Sequence, residues 1–265
     1  MISNLSRIKD KISKGELVIG VGVSLGDPVV SEILCHCGFD FVWIDYEHGA
    51  LDRKLIDLHI MAIRGCGVAP FVRIPWNDPV LAKPILDMGP AAIIFPFIKT
   101  VEDARLAVSS CKYPPEGIRG FGPRRANNYY TINTKDYLNL SRSEPWVILQ
   151  IEHKDAVANI EEIVKVNGVD SIVIGPCDLS GSIGLLGKTD HPENVKLIDK
   201  ISSVCNNAKM PFGASIGIND FEVYKAWIER GVCWLECGND IPYLVQGGKR
   251  SIKDVNKIYK EYKNE

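Results

Sequence analysis

Two stretches of the chain end in carboxylates that could hold a hard cation. VILQIE closes on Glu152, and SIVIGP is followed two residues later by Asp178. Each run reads as a short apolar strand. Ala156 to Val166, between them, reads as a helix with Val157, Ile160, Ile163, Val164 and Val166 on or beside one stripe. In such a βαβ unit the strands are parallel and their ends lie side by side, so both carboxylates should reach one rim. With no basic residue beside them in the strand ends, they suit magnesium or manganese. The purely structural alternative makes Glu152 a helix cap and Asp178 the opening of another helix.

Other strand ends carry reactive groups as well. Asp45, Glu47 and His48 stand at the end of FDFVWIDYEH, Arg73 lies in APFVRIPW, and Gln150 precedes Glu152 by two positions. A cation on Glu152 and Asp178 would leave positions for a chelating 2-oxo acid and would polarise its ketone as a Lewis acid. Arg73, permanently charged, could bond the same oxygen as it becomes an enolate. His48 titrates near neutrality and could move a proton. The backbone amides of Cys177 and Asp178, at a helix start, suit the substrate carboxylate. These parts describe carbon–carbon cleavage through a metal-stabilised pyruvate enolate. No lysine stands at a strand end in this set, which disfavours a Schiff-base route. Taken singly, Arg73 could be a structural ion-pair partner and His48 a loop histidine with its bonds satisfied.

Such a rim needs a frame, and the chain supplies alternating elements. After an N-terminal helix (about Ser3 to Lys14), the strands are Leu17 to Leu25, Phe39 to Glu47, APFVRIPW, AAIIFPFI, VILQIE, SIVIGP, MPFGASI and VCWLECGND. Helical patterns follow them: VVSEILCHCG, stopped at Gly38; LDRKLIDLHIMAIRG, stopped at Gly65; and a helix capped by Asp78 with Pro79 in its first turn, ending near Gly89. VEDARLAVSSC, Ala156 to Val166, HPENVKLIDKISSVCNNA, NDFEVYKAWIERG and a polar C-terminal helix complete the set. Eight β-then-α units in about 250 residues, without repeats or a linker, predict one (β/α)₈ TIM barrel spanning residues 1–265. A doubly wound open sheet is the rival, because periodicity alone cannot close a barrel. The absence of GxGxxG after the first strand removes support for a dinucleotide fold. Between the fourth helix and fifth strand, YPPEGIRGFGPRRANNYYTINTKDYLNLSRSE is long and polar enough to be a functional loop.

Composition bounds the rest. The chain is 46% apolar and 24% charged, with a net charge of −2 and eight cysteines. These values fit a soluble protein with a substantial core and no nucleic-acid surface. No run reaches membrane-spanning length, and the charged, amphipathic start is unlike a secretory signal, so a cytoplasmic location is expected. Cys35, Cys66, Cys111, Cys177, Cys205, Cys233 and Cys237 sit in or beside apolar elements and are read as reduced core thiols. Cys35-His36-Cys37 looks like half a zinc site, but no second pair lies at zinc-finger spacing, so structural zinc is not expected.

IDYEHG, VRIPWNDP, LDMG, YPPEGIRGFGP, LQIE and IGPCDLS, in this order from about Gly15 to Gly247, resemble the signature segments of the HpcH/HpaI aldolases, the class II pyruvate-type aldolases. The resemblance implies a (β/α)₈ barrel, a divalent metal (Mg2+, Mn2+ or Co2+) and a homohexamer built as a trimer of dimers that exchange the last barrel helix. It further implies cleavage of 4-hydroxy-2-oxo acids, such as 2-keto-3-deoxy sugar acids or related dicarboxylates, into pyruvate or a similar 2-oxo acid and an aldehyde. Carried over, His48 matches the proton acceptor, Arg73 the transition-state stabiliser, Glu152 and Asp178 the metal ligands, and Gln150 a substrate contact. Asp87 in LDMG matches the carboxylate that raises the basicity of the histidine; that role rests on the resemblance alone. Asp45, three residues before His48, could be a second partner of the imidazole. Cys177 departs from the alanine usual in the family motif and narrows the site. Arg124 and Arg125 either grip a carboxylate on the aldehyde half or are a solvated pair on a lid. The alternatives are a lyase of malyl- or citramalyl-thioesters and a non-catalytic barrel that binds an oxo acid.

Overall fold

The computed structural model describes residues 3–264. Eight parallel strands, β1 Val18–Val23, β2 Phe41–Asp45, β3 Ala69–Arg73, β4 Ala92–Phe95, β5 Trp146–Ile151, β6 Ser171–Ile174, β7 Phe212–Ser215 and β8 Trp234–Asn239, pair in sequence order. β8 pairs back onto β1, so the sheet closes and the open-sheet rival falls. Helices α1 Leu5–Ser13, α2 Pro28–His36, α3 Arg53–Gly65, α4 Pro79–Met88, α5 Val101–Cys111, α6 Thr134–Ser141, α7 Lys154–Ile163, α8 Pro176–Gly181, α9 Pro192–Ala208, α10 Phe221–Glu229 and α11 Asp240–Asn264 fill the connections.

Period-two strands bury both faces here. Outward residues such as Val42, Ile44, Val72, Ile93 and Ile172 meet the helix stripes, while Phe41, Phe71, Ile148, Val173 and Trp234 fill the interior. The Phe41 and Phe71 rings stack at 4.5 Å, and Trp234 meets both edge-on at 5.6 and 6.2 Å. Room for these rings comes from glycine on the neighbouring strand. A Cβ on Gly20 would lie 2.1 Å from the Phe41 ring. Helix α1 closes the N-terminal mouth, because Leu5 and Ile8 join Val18 and Trp146 in this inner cluster.

Topology places the long polar segment. The segment from Tyr113 to Glu144 joins the end of α5 to the start of β5, and in this fold such connections lie at the face opposite the C-terminal strand ends. It carries a helix of its own, α6, capped by Asn133. Its anchor is Arg119, 3% exposed, which donates to Asp87 Oδ1 at 3.0 Å and Tyr137 Oη at 3.2 Å and lies 4.5 Å from the Tyr113 ring centre. Arg125 donates to the Met88 carbonyl at 3.1 Å. Within the protomer the segment lies at the floor rather than over the rim, and Arg125 bonds the Met88 carbonyl there; Arg124, exposed beside Asp87, shares that end of α4. Gly20→Ala is expected to destabilise the fold by about 1–3 kcal/mol, the cost of an overpacked core. Urea denaturation at constant m-value measures it; an unchanged midpoint would contradict the packing described.

Candidate active site

The site is built from what each strand delivers at its C-terminal end. Asp45 and Arg73 are direct neighbours in the β2–β3 register. Arg73 donates from Nε and Nη2 to Asp45 Oδ1 and Oδ2 at 3.1 and 2.8 Å, a bidentate fork that fixes the guanidinium plane. Its Nη1 lies 3.1 Å from Glu47 Oε2, and its carbon sits 5.3 Å from the Trp43 ring centre. Asp45 Oδ1 also accepts from the backbone N–H groups of Glu47 and His48, which pins the turn that presents the histidine.

Glu152 follows β5 and is 1% exposed. It does not cap the next helix, since His153 does that. Instead its Oε1 accepts from the Phe97 N–H at 2.8 Å and its Oε2 from the Gln150 amide. Phe97 reaches this position with φ at 52°, left-handed for a residue that carries a Cβ. Gly175, beside it, must be glycine, because a Cβ there would lie 2.8 Å from Glu152 Oε2. Asp178 stands in the first turn of α8, two residues after Pro176, so the structural alternative describes its backbone well while its charge acts on the site.

The electrostatics join these groups. Burial pushes Glu152 up to about 7, with the charges of Glu47 and Asp178 adding to the rise and the Phe97 and Gln150 bonds opposing it. Burial likewise pushes Glu47 up to about 7, opposed by Arg73 and reinforced by Asp45 and Asp178. Burial would depress the Arg73 pKa, but Asp45, Glu47 and Glu152 together raise it. Four carboxylates, Asp45, Glu47, Glu152 and Asp178, therefore share one rim with one guanidinium. Gln150 Oε1 is buried without a hydrogen-bond donor, and Glu47 Oε2 has the Arg73 ion pair but no well-formed hydrogen bond. An electron-rich pocket of hard oxygen donors, short of positive charge, fits a divalent cation.

His48 stands at the rim beside Glu47, and Asp87 stands away from it. The imidazole is 69% exposed, and its Nε2 lies 4.0 Å from Glu47 Oε2. Asp45 does not orient that ring; its oxygens are taken by Arg73 and the turn amides. Asp87 lies in the last turn of α4, a ten-residue helix running away from the rim for about 15 Å, so within a protomer it cannot serve His48. Its partner is Arg119. Cys177 is exposed rather than a core thiol, and burial of its sulfur, with the Asp178 charge second, holds its pKa above the usual thiol range. All eight cysteines are free.

Glu47 was visible at the rim but had no role until its contacts with Arg73 were known. Glu236 was missed altogether. It is 2% exposed inside the barrel on β8, bonded to the Gly22 and Gly238 N–H groups at 3.2 Å, to Asn239 at 3.1 Å and to Ser215 at 2.8 Å. Its signal was a carboxylate in the middle of the apolar run VCWLECG.

A closed barrel with acids, an arginine and a histidine on its C-terminal rim defines a carbon–carbon lyase scaffold once its relatives are considered. A sequence profile for the HpcH/HpaI aldolase/citrate lyase family matches residues 19–234. The 5-keto-4-deoxy-D-glucarate aldolase of Escherichia coli K12 is 35% identical over 238 residues, covering 89% of this chain and 91% of its own. A solved HpcH/HpaI aldolase/citrate lyase family protein from Burkholderia cenocepacia J2315 superposes with a TM-score of 0.88 at 29% identity, covering 97% and 100% of the two chains. The citrate synthase SbnG superposes at 0.85 with 27% identity over 97% and 98%. The chain belongs to the HpcH/HpaI aldolase/citrate lyase family, and it is an aldolase-type carbon–carbon lyase with a small-molecule substrate. No helix among the described residues is long and apolar enough to cross a membrane.

Glu236 is pushed up to about 7 chiefly by burial, with the Ser215 hydroxyl and the backbone of Gly238, Gly217 and Gly22 pulling the other way. Its folded pKa exceeds the unfolded value near 4.5, so between those values the native state holds the extra proton. That stabilisation is complete below the unfolded pKa and is lost as pH rises through 7. Glu236→Gln should remove this part of the pH dependence, on the order of 3 kcal/mol across the window. Stability curves from pH 4.5 to 8 read it; parallel curves for the two proteins would refute it.

Proposed function

We propose that this enzyme is a divalent-metal-dependent class II aldolase that reversibly cleaves a 4-hydroxy-2-oxo acid, of the 2-keto-3-deoxy sugar acid or related dicarboxylate type, to pyruvate or a similar 2-oxo acid and an aldehyde. The observation that carries this reading is the guanidinium of Arg73, held by Asp45 and Glu47 beside the buried carboxylate of Glu152.

Glu152 and Asp178 would hold the cation, with Glu47 as a third acidic neighbour. The ion, magnesium, manganese or cobalt, supplies Lewis-acid polarisation of the 2-oxo group and an anchor for the substrate carboxylate. The chain's own groups do the rest. His48 takes the proton of the 4-hydroxyl; the C3–C4 bond breaks, the C4–O bond becomes the aldehyde carbonyl, and the bonding pair passes through C3 to the 2-oxo oxygen. Arg73 donates to that oxygen as its charge grows, and its fork to Asp45 leaves no reorganisation to be done at that moment. Gln150 orients Glu152 and offers its free Oε1 to the substrate side. The amides of Cys177 and Asp178 receive the substrate carboxylate.

The role that the resemblance gives Asp87 requires a second protomer, since its own His48 lies beyond reach. This supports a homo-oligomer, as does α11: its main contacts are with β1 and β8, while Leu244, Val245, Ile252, Val255 and Ile258 stay exposed. The likeness to a citrate synthase favours a second reading, a lyase or synthase of acyl-thioesters.

Pyruvate release from 4-hydroxy-2-oxo acids should vanish after complete chelation and return with Mg2+, Mn2+ or Co2+; turnover in a demonstrably metal-free enzyme would end the proposal. Inhibition by free coenzyme A would move the assignment to the thioester reading. Arg73→Ala would leave two buried carboxylates unpaired and mix stability with catalysis. Arg73→Lys keeps the charge, loses the fork, and should lower kcat by about 10²–10³ with the melting temperature little changed.

A further inference from the structure

At the opposite end of the barrel, Glu32, His36 and Cys66 bring a carboxylate oxygen, an imidazole nitrogen and a thiol sulfur within 4.8 Å of one another. We propose that this cluster, with Cys35, is a second metal site of zinc type that clamps α2 to α3 and stands apart from the aldol chemistry.

Glu32 and His36 are four residues apart on α2, so their side chains share one helix face, and Cys35 lies one turn from Glu32. Cys66 caps the C-terminus of α3, which packs directly against α2. Cys35, buried on the same helix, neighbours Cys66, whose thiol helps burial to raise its pKa, so it stands next to the three as a candidate fourth donor. One nitrogen, one oxygen and two sulfurs form a borderline-soft set that selects zinc or cobalt over magnesium. Zinc sits about 2.0–2.3 Å from such donors, so closing the shell asks for small rotamer changes. Glu32 and His36 are exposed and free to make them.

The backbone points the same way. α2 ends at His36 and α3 at Gly65, so two helices bring their partial negative ends to this place, and a cation is favoured there. Both termini lie at the face where barrel strands begin, the face concerned with stability rather than turnover. The site is therefore structural, holding the α2–β2 and α3–β3 connections together. Cys37, exposed and bonded to the Ile33 carbonyl, lies outside it.

The test uses the full-length, reduced, metal-stripped protein titrated with cobalt(II) chloride in the presence of excess magnesium. The expected result is thiolate-to-cobalt charge-transfer absorption that saturates at one equivalent per chain, is bleached by zinc, and persists in Glu152→Ala. Cys66→Ser should abolish it, and His36→Ala, an exposed change that leaves the circular dichroism intact, should weaken cobalt binding at least about tenfold. Zinc should also raise the melting temperature of the parent protein but not of these variants. Absence of the thiolate band, its persistence in both variants, or a Cys35–Cys66 disulfide that forms in air and excludes cobalt would overturn the proposal. Because the readouts are spectroscopic and thermal, the outcome does not depend on which substrate the rim cleaves.

Discussion

Everything at the rim depends on one guanidinium surrounded by more acid than it can neutralise. Arg73 is locked to Asp45 by two bonds and also faces Glu47, with Glu152 close enough to raise its pKa. In a partly desolvated site such a set is unfavourable unless further positive charge is supplied. Glu47 and Glu152 record the deficit by rising to about 7, so at neutral pH each is held between its acid and its carboxylate form. A divalent cation of the kind proposed would reverse the preference for the neutral acid, and the deficit is greatest where Glu47 and Glu152 meet.

The barrel makes this arrangement reproducible. Asp45 and Arg73 face each other because β2 and β3 are parallel and in register, and Gly175 continues the β5–β6 ladder through its bond to the Ile151 carbonyl. The close approach of Glu152 to β6 is set by backbone, through Gly175 and the left-handed Phe97, rather than by flexible side chains. Below this layer, Glu236 is held by Gly22, Ser215 and Asn239, so strands β7, β8 and β1 are cross-tied by hydrogen bonds where other parts of the interior use aromatic rings.

Much of this was legible in the sequence. Strand ends are written locally: an apolar run followed by a charged residue marks both the element and its exit. That is why Asp45, Glu47, Arg73, Glu152 and Asp178 were found at one rim, and why Asp78 and Pro79 marked the start of α4. Less legible was the face of the barrel to which a position belongs. Asp87 ends α4 and so lies at the far face, and the long polar segment, which joins α5 to β5, lies there too. Both follow from the alternation of the fold once the barrel is accepted. Which atoms Asp45 would bond could not be read, since three residues of separation allow either the imidazole or the turn amides. Arg73, from the next strand, decided the matter.

The two faces also differ in the hardness of their donors, and that difference follows from chain order. At the rim the donors end strands and are carboxylates backed by amides, a setting suited to an ion that must also accept substrate oxygens. At the floor, donors come from helix ends, where thiols of the α2–α3 seam meet exposed Glu32 and His36. In the site proposed there, the complement of Cys35 and His36 is a single residue, Cys66, about thirty positions away and brought in by a helix instead of a second motif. A sequence search for paired spacings is blind to that geometry. A parallel barrel generates it routinely, because each helix ends beside the end of the next.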